Sequence, residues 1–275
     1  MPILQKRGGD SVAGSAAEAD FSQHEGNPDF VLSLARGLRV IETFEGHTDG
    51  QSVSDVARRT GLSRAAVRRS LMTLQILGYA ESNGAIYRIT TRALRLGFSY
   101  LSSASLPALA QPVIERITEL VHESSSVSVL DGNEIVYIAR STSKRVMSVG
   151  LSVGSRLPAY CTSMGRILLA ALADEVLSAY LKRVEVKALT PKTITDKELL
   201  REIVVRIRSD KFAITDEELE MGLRSIAVPV FSRSGRAIAA MNIGVHAARV
   251  SAAEMIHRFL PILQENARAL GQVLA

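Results

Sequence analysis

Residues 52–77 read SVSDVARRTGLSRAAVRRSLMTLQIL, and this stretch decides the fold of the N-terminal part of the chain. Ser52 followed by Asp55 three residues later is a capping-box pattern, which predicts that a helix starts here. Gly61 is suited to the left-handed conformation that ends a helix in a tight turn, and Ser63 is suited to cap a second helix. The stretch therefore predicts two short helices joined by a glycine turn.

The second helix, from Arg64 to about Leu77, has one apolar side and one cationic side. At about 100° per residue, Val67, Leu71 and Leu74 fall on the same side as Leu77. A recognition helix needs such an apolar stripe to pack on its partner helix, and it needs a cationic face to enter the major groove of DNA. This segment has both.

We predict that this unit binds double-stranded promoter DNA. No carboxylate lies between Asp55 and Glu81 to cancel the attraction of the intervening arginines to phosphates. The alternative, which charge alone would favour, is a solvated basic face on an ordinary helical hairpin. The expected DNA-contacting residues are Ser63, Arg64, Arg68, Arg69 and Thr73 in the second helix, Arg58 and Arg59 in the first, and Arg88 beyond them.

The flanking segments complete a winged helix-turn-helix. Ser33 is suited to cap a helix whose apolar positions run from Leu34 to Phe44 at helical spacing. After the two-helix unit, Asn83-Gly84 is a strong hairpin signal, because both residues tolerate a positive φ. We therefore assign residues 29–92 to a winged helix-turn-helix domain.

The rest of the chain divides into three parts. Residues 1–28 are rich in Gly, Ala, Ser and acids and bury little apolar surface, so we expect a disordered tail. Residues 93–105 are expected to form a linker helix. Residues 106–275 mix helical and strand patterns, with a strand expected at 146–153, and predict an α+β domain with a single mixed or antiparallel sheet. Such a sheet under loops and helices is well suited to enclosing a small molecule.

Composition limits the classes of protein to which the chain can belong. Its 275 residues are enough for two domains, and a formal charge of +5 with a pI near 9.5 favours a polyanionic partner. Cys161 is the only cysteine, so no internal disulfide forms, which fits a reducing compartment. No His or Cys pair has metal-ligand spacing, and no apolar run of about 18 residues occurs. We expect a cytoplasmic, nucleoid-associated protein with no metal, no cofactor and no membrane partner.

Two patterns raise the question of catalysis. The segment Gly150-Leu-Ser-Val-Gly154 matches the G-x-S-x-G pattern of a serine-hydrolase elbow, which places the serine on a turn between a strand and a helix. Pro158 follows closely and no helix is expected at that point. The acids at 216–220 are typical of a solvated face. We predict that the chain is not an enzyme; the alternative is a small-molecule-binding sensor or serine-hydrolase-like enzyme without a DNA role.

Four motifs carry a family resemblance that covers nearly everything after residue 28. They are SLARGLRVIETF at 33–44, SVSDVARRTGLSRAAVRRSL at 52–71, LPAYCTSMGRILLAAL at 157–172 and DEELEMGLRSIAVPVFSRSGRAIAAMNIG at 216–244. The chain resembles the IclR family of bacterial transcriptional regulators, and most of all the subgroup that regulates protocatechuate, 4-hydroxybenzoate and β-ketoadipate catabolism. The resemblance implies a C-terminal GAF-like effector-binding domain, a palindromic promoter site, and a homodimer or dimer of dimers. RNA polymerase is an expected partner of an activator, and the sequence leaves activation or repression open.

The resemblance also implies an effector pocket between the loop before the helix at 162–172 and the C-terminal strands. The expected effector is a small aromatic or dicarboxylic acid, bound by Ser, Thr and Asn side chains and by N–H groups at the start of that helix. Asp216 is included because some relatives have a carboxylate near Thr215. The positions carried over are Val146, Tyr160, Ser163, Met164, Thr215, Asp216, Leu223, Ser225, Asn242 and Gly244.

Overall fold

A computed structural model describes the chain at residues 21–24, 26–97, 105–143 and 151–274. The chain divides into two units, Met1–Tyr100 and Leu101–Ala275. The expectations for residues 1–20 of the tail, for 98–104 of the linker helix and for Val146 fall outside the described residues. Within the described residues, 94–97 of the predicted linker are helical, and Phe21–His24 forms a 3-10 turn.

Within residues 26–90, the first unit has three helices packed on a three-stranded sheet. Its helices are α1 (Leu32–Glu42), α2 (Val53–Thr60) and α3 (Arg64–Ile76), and its strands are β1 (Gln51–Ser52), β2 (Ala80–Ser82) and β3 (Ile86–Ile89). The strands form an antiparallel sheet in the order β1-β3-β2. The apolar sides of the helices meet the sheet in one core that includes Val40, Val56, Val67, Leu71 and Tyr87. The predicted winged helix-turn-helix is confirmed.

Two local predictions in this unit differ from the structure, and one strand was not predicted. Val31, not Ser33, precedes α1, and no side chain caps that helix. Leu77 is 51% exposed, because α3 ends at Ile76 and the apolar stripe of the helix ends with it. Strand β1 was not predicted, because two residues are too short to show a strand periodicity.

The second unit is an α+β domain built on one sheet. Its elements are α4 (Ser105–Val121), β4 (Ser124–Asp131), β5 (Glu134–Ser141), β6 (Arg156–Pro158), α5 (Ser163–Ala170), α6 (Asp174–Arg183), α7 (Lys197–Asp210), β7 (Ala213–Asp216), β8 (Leu223–Phe231), β9 (Ala237–His246), α8 (Ala252–Glu254), a π turn (Met255–Phe259) and α9 (Leu260–Val273). The six strands are antiparallel and lie in the order β6-β5-β4-β9-β8-β7. The prediction of a single sheet is confirmed. Strands β6 and β7 were not predicted, and residues 151–153 of the strand expected at 146–153 are not in a strand.

The two faces of this sheet carry two separate apolar clusters. Successive strand residues point to opposite faces, so that Met241 packs with α4 and α9 on one face. Ala213, Ala227 and Ala240 pack with α5 and α7 on the other. The small alanine side chains let α5 lie close to the sheet, and Gly165 of α5 would clash with Ala159 if it had a Cβ atom.

Candidate functional site

Local hydrogen bonds fix both helices of the helix-turn-helix. The Ser52 hydroxyl accepts from the Asp55 N–H at 3.2 Å, and the Ser52 backbone N–H donates to the Asp55 carboxylate at 3.4 Å, which completes the predicted capping box. The Ser52 hydroxyl also donates to that carboxylate at 2.6 Å. These bonds from Ser52 hold the pKa of Asp55 below its usual value. Gly61 takes a left-handed φ of 70°, and the Ser63 hydroxyl accepts from Ala66 N–H at the start of α3. The turn between the helices is therefore held by side chains that the sequence pattern identified.

The side of α3 opposite the core is cationic and open to solvent. All eight residues expected to contact DNA are exposed: Ser63, Arg64, Arg68, Arg69, Thr73, Arg58, Arg59 and Arg88. Arg58 pairs with Asp55 at 2.5 Å, and the Thr73 hydroxyl donates to the Arg69 carbonyl oxygen at 2.9 Å. Among the described residues, the other five arginines form no ion pair with a carboxylate. They are Arg59, Arg64, Arg68, Arg69 and Arg88. This face therefore offers uncompensated cations, as binding to phosphates requires.

A pocket lies in the second unit, between the start of α5 and the sheet face that carries the alanines. Its cavity volume is about 40 Å³, and the space between its walls is about 550 Å³ when the part open to solvent is counted. Seven of the expected effector-binding residues line it: Ser163, Met164, Thr215, Leu223, Ser225, Asn242 and Gly244. The lining residues that were not expected are Ser124, Ser126, Tyr137, Arg140, Leu151, Cys161, Thr162 and Leu219. The sequence thus located this pocket but missed about half of its wall.

Strand register arranges the polar lining in two rows across the sheet. The row named here the Asn242 row pairs Arg140 with Ser126 and Ser126 with Asn242. The second, the Ser225 row, runs Ser124, Gly244, Ser225 and Thr215 across β4, β9, β8 and β7. The two rows are two residues apart along each strand, so their side chains share one face. Polar groups thus cover the part of this face where the apolar cluster ends.

Hydroxyl groups gather at the end of the pocket nearest α5. Ser163 and Ser225 place their oxygens 2.7 Å apart, and the Thr215 hydroxyl lies 3.0 Å from that of Ser225. All three residues are buried. The Oδ1 atom of Asn242 is also buried and has no hydrogen-bond partner among the described residues. A buried acceptor without a partner carries a desolvation cost, so this atom would gain from a donor on a bound molecule.

The opposite end of the pocket holds Arg140. Its Nη1 atom donates to the Ser126 hydroxyl at 3.3 Å, and its guanidinium carbon lies 5.6 Å from the centre of the Tyr137 ring. Burial lowers the pKa of Arg140, and Tyr137 opposes that shift. Burial raises the pKa of Tyr137 to about 12, so its phenol stays neutral. A half-buried cation can bind an anion in a site partly shielded from water.

An ion pair away from the polar rows joins two walls of the pocket. Arg166 of α5 donates two hydrogen bonds to the Glu218 carboxylate, at 2.7 and 2.6 Å, and its Nε atom donates to the Tyr160 carbonyl oxygen at 2.9 Å. Thr193 donates to the Glu218 carbonyl oxygen at 2.6 Å. These bonds hold the β7–β8 loop, residues 217–222, against α5 and against the segment between α6 and α7, and the loop places Leu219 in the pocket wall.

Three expected residues are not in the pocket lining. The Tyr160 hydroxyl is bonded to the backbone of Lys187, donating to its carbonyl oxygen at 2.9 Å. Asp216 points away, pairing with Arg224 at 2.8 Å and with Lys192 at 3.7 Å. The Tyr160 hydroxyl therefore joins two loops, whereas the Asp216 carboxylate forms a cross-strand pair between β7 and β8. Val146, the third, lies outside the described residues.

Cys161 and the G-x-S-x-G segment give no sign of catalysis. Burial raises the pKa of the Cys161 thiol to about 12, so that the thiolate is absent at neutral pH. Ser152 lies in a turn that leads to β6 and not to a helix. Within the described residues there is no group of three or more His, Cys, Asp and Glu arranged to hold a metal ion. No helix among them is long and apolar enough to cross a membrane.

Comparison with known proteins identifies the family. The profile of the C-terminal domain of the bacterial transcriptional regulator IclR matches residues 98–272, and that of the IclR helix-turn-helix domain matches residues 33–84. The chain belongs to the IclR family. It is therefore a DNA-binding transcriptional regulator with an effector-binding domain, and not an enzyme.

Three members of the IclR family are similar to this chain over most of their own length. The Pca regulon regulatory protein of Pseudomonas putida is 49% identical over 89% of this chain and 84% of its own. The p-hydroxybenzoate hydroxylase transcriptional activator of Acinetobacter baylyi is 39% identical over 90% of this chain and 93% of its own. The crystal structure of a double mutant of the PobR inducer-binding domain from Acinetobacter, in complex with 3-hydroxybenzoic acid, is 35% identical. It covers 62% of this chain and all of that chain, with a TM-score of 0.59.

Proposed function

We propose that this IclR-family protein regulates genes of aromatic-acid catabolism in the bacterial cytoplasm and responds to a small aromatic or dicarboxylic acid. The observation that carries the proposal is the pocket of the second unit, with a guanidinium at one end and hydroxyl groups at the other. An acid with a further oxygen group matches both ends. Two relatives that regulate the Pca regulon and p-hydroxybenzoate hydroxylase support the pathway, and the PobR domain with bound 3-hydroxybenzoic acid supports the effector class.

The proposed DNA contacts are made by the cationic face of the first unit. Ser63, Arg64, Arg68, Arg69 and Thr73 lie in or next to α3, where they can reach base edges and flanking phosphates. Arg58 and Arg59 on α2 and Arg88 on β3 add backbone contacts. Winged proteins of this type read two half-sites as symmetric pairs, so we propose a homodimer or dimer of dimers. RNA polymerase is the further partner if the protein activates transcription.

The effector acts on DNA binding only if it binds two states of the protein with different affinity. A ligand with equal affinity for both states shifts no equilibrium, however tightly it binds. Arg166 and Glu218 join two walls of the pocket, α5 and the β7–β8 loop. We propose that an effector bound between α5 and this loop favours the state of the protein in which both walls contact it.

A thermal-shift screen tests the effector class. The full chain is heated with 3-hydroxybenzoate, 4-hydroxybenzoate, protocatechuate or β-ketoadipate, each at a concentration series. A ligand present at 100 times its Kd stabilises a protein by about 2.7 kcal/mol, which raises the melting temperature measurably. No response to any of the four acids would remove the effector class, while the family assignment would stand.

A gel-shift titration tests the DNA contacts. Arg68→Ala with Arg69→Ala is compared with the parent chain on promoter fragments of the genes beside its own, at several salt concentrations. The slope of the logarithm of the DNA-binding constant against the logarithm of the salt concentration is negative, and the loss of two phosphate contacts reduces its magnitude by about two. Arg206→Ala, which removes an exposed arginine of α7 in the other unit, is the matched control. An unchanged salt slope in the double variant contradicts the assignment of this face.

A further inference from the structure

The charge of the pocket lining is concentrated in one residue. Among the fifteen described residues that line the pocket, Arg140 alone carries a charged side chain. The other polar lining groups are hydroxyls, one carboxamide and one phenol. Among the described lining residues, the Arg140 guanidinium is therefore the one cationic group with which an anionic group in the pocket can pair.

The surroundings of Arg140 hold it in place before a ligand arrives. Two hydrogen bonds to Gln111 fix its backbone. The Arg140 backbone N–H donates to the Gln111 Oε1 atom at 3.3 Å, and the Arg140 carbonyl oxygen accepts from Gln111 Nε2 at 3.3 Å. Gln111 belongs to α4, so the residue is tied to a helix on the opposite side of the sheet. On the pocket side, Nη1 lies 3.3 Å from the Ser126 hydroxyl, and Ser126 is 2% exposed. A cation that is already oriented loses little conformational entropy when it binds an anion.

The opposite end of the pocket is neutral and suits an uncharged oxygen group. The Ser163, Thr215 and Ser225 hydroxyls can each donate or accept. The buried Oδ1 atom of Asn242, which has no partner, lies between the two ends in the Asn242 row. The backbone N–H of Gly165, near the start of α5, is not free for a carboxylate, because it donates to Thr162 Oγ1 at 3.2 Å. A carboxylate thus has its strongest described partner at Arg140.

The separation of the two ends follows from the sheet. Ser126 is on β4 and Ser225 on β8, with β9 between them, and the two serines belong to rows that lie two residues apart. Two strand spacings of about 4.8 Å across the sheet and two residues of about 3.3 Å along it separate their backbones by roughly 12 Å. That distance accommodates one six-membered ring or a short chain, together with a hydrogen bond at each end. A small acid can therefore reach both ends at once.

We infer that Arg140 is the residue that binds the carboxylate of the effector, with Ser126 beside it, and that the Ser163, Thr215 and Ser225 hydroxyls bind the oxygen group at the far end. The inference rests on the proposed function, since it requires an acidic effector. It adds to that function a residue that fixes both the charge and the direction of the bound molecule. Arg140 thereby selects acids over their neutral analogues.

A thermodynamic cycle between the residue and the ligand tests the inference. Isothermal titration of the full chain measures the Kd of 4-hydroxybenzoate, protocatechuate and β-ketoadipate, and of the primary amide of each acid. The same six titrations are made on Arg140→Gln, which keeps hydrogen-bond donors but removes the charge. In the parent chain the acids bind about ten- to a hundredfold more tightly than their amides. In Arg140→Gln this preference falls to less than about threefold.

Matched variants separate this result from a general loss of charge or of fold. Arg206→Gln keeps the full preference for acids, because its side chain is exposed on α7. Arg140→Lys retains a preference for acids over amides, since it restores the charge, and circular dichroism and thermal melts show that each variant is folded. Two further cations, Lys144 and Arg145, follow Arg140 closely in the sequence and are the competing candidates. If Lys144→Gln with Arg145→Gln abolishes the preference and Arg140→Gln does not, the assignment of Arg140 is overturned.

The outcome distinguishes this inference from the proposed function. If the parent chain binds none of the acids, the effector class itself fails. If the parent chain binds an acid and Arg140→Gln binds it with the same Kd and the same preference over the amide, the effector class stands and the role of Arg140 is overturned.

Discussion

Arg166 and Glu218 form a buried ion pair with two hydrogen bonds of 2.7 and 2.6 Å, and only 3% and 7% of the two side chains are exposed. The pair joins α5, whose first residues line the pocket, to the β7–β8 loop, which contributes Leu219. The same carboxylate accepts from Ile194 N–H at 3.3 Å, so a third segment is held there as well. Three separate parts of the chain thus depend on one carboxylate.

Removing one partner of this pair is expected to destabilise the second unit. In Arg166→Met the buried Glu218 carboxylate loses its cation, which costs about 3–5 kcal/mol in comparable buried pairs. The double variant Arg166→Met with Glu218→Leu leaves no buried charge and recovers a large part of that loss. Urea denaturation measures the free energy of unfolding of each variant. The control is Arg156→Met, because Arg156 pairs with Asp131 and Glu134 at the surface, where the loss is at most about 1 kcal/mol. Equal losses for the two single variants would contradict this account.

Gly165 and Gly37 are helical glycines with opposite surroundings. A Cβ atom at Gly165 would lie 2.2 Å from the Ala159 carbonyl oxygen, whereas one at Gly37 meets nothing within 4 Å. We expect Gly165→Ala to destabilise the second unit and to weaken effector binding, because α5 must move away from Ala159. Gly37→Ala in α1 is expected to stabilise the first unit by up to about 1 kcal/mol, since alanine is the better helix former. Thermal melts of the two variants give the signs, and a stabilising Gly165→Ala would disprove the close packing at Ala159.

The capping box of α2 predicts a change in stability with pH. Ser52→Ala is expected to cost the first unit about 1 kcal/mol at pH 7, because the first turn of the helix loses a hydrogen-bond acceptor. The hydrogen bonds from Ser52 lower the pKa of Asp55 in the folded state, so its contribution is present above the unfolded pKa and is lost as the pH falls through the lower, folded value. The cost of Ser52→Ala should therefore shrink below about pH 4. Denaturation at pH 7 and pH 3 checks this, and a cost that is independent of pH would refute the role of Asp55.

Cys161 is expected to be inert toward thiol reagents in the folded protein. The thiolate is the reactive species, and burial raises the pKa of this thiol to about 12. Labelling with an aromatic disulfide reagent at pH 8 should be undetectable over minutes for the native chain and complete in urea. Because the folded pKa lies above the unfolded one, the stability associated with the neutral thiol is present at pH 8 and lost as the pH rises from about 9 toward 12. Rapid labelling of the native chain would show that the site opens.

The helix-turn-helix could be predicted from the sequence because its signals are local. The capping box, Gly61 and the apolar stripe of α3 all lie within about 25 residues, and each agrees with the others. The family motifs placed Ser163, Ser225 and Asn242 in the pocket. Local patterns could not show which residues meet across the sheet.

Arg140 shows why part of the pocket was missed. It enters the lining through its pairing with Ser126, in a ladder whose register shifts between Val127 and Ser128. A single irregularity of this kind changes which side chains share a face, and nothing in the sequence of β5 marks it. The serines at 124, 126 and 128, which share one face of β4, were the available signal, since a polar strand face directed inward is unusual for a core strand. Likewise, Arg166 and Glu218 are 52 residues apart, and no local rule pairs them.

The close approach of α5 to the sheet has a consequence for how this regulator changes under selection. The Ser163 and Ser225 hydroxyls touch because the small side chains of Ala213 and Ala227 keep the layer between helix and sheet thin. A larger side chain at either alanine would separate the two hydroxyls without touching a bound molecule. Genetic screens for strains with an altered inducer range should therefore recover substitutions inside the α5 layer as well as in the pocket wall, and such alleles would combine a new response with reduced thermal tolerance.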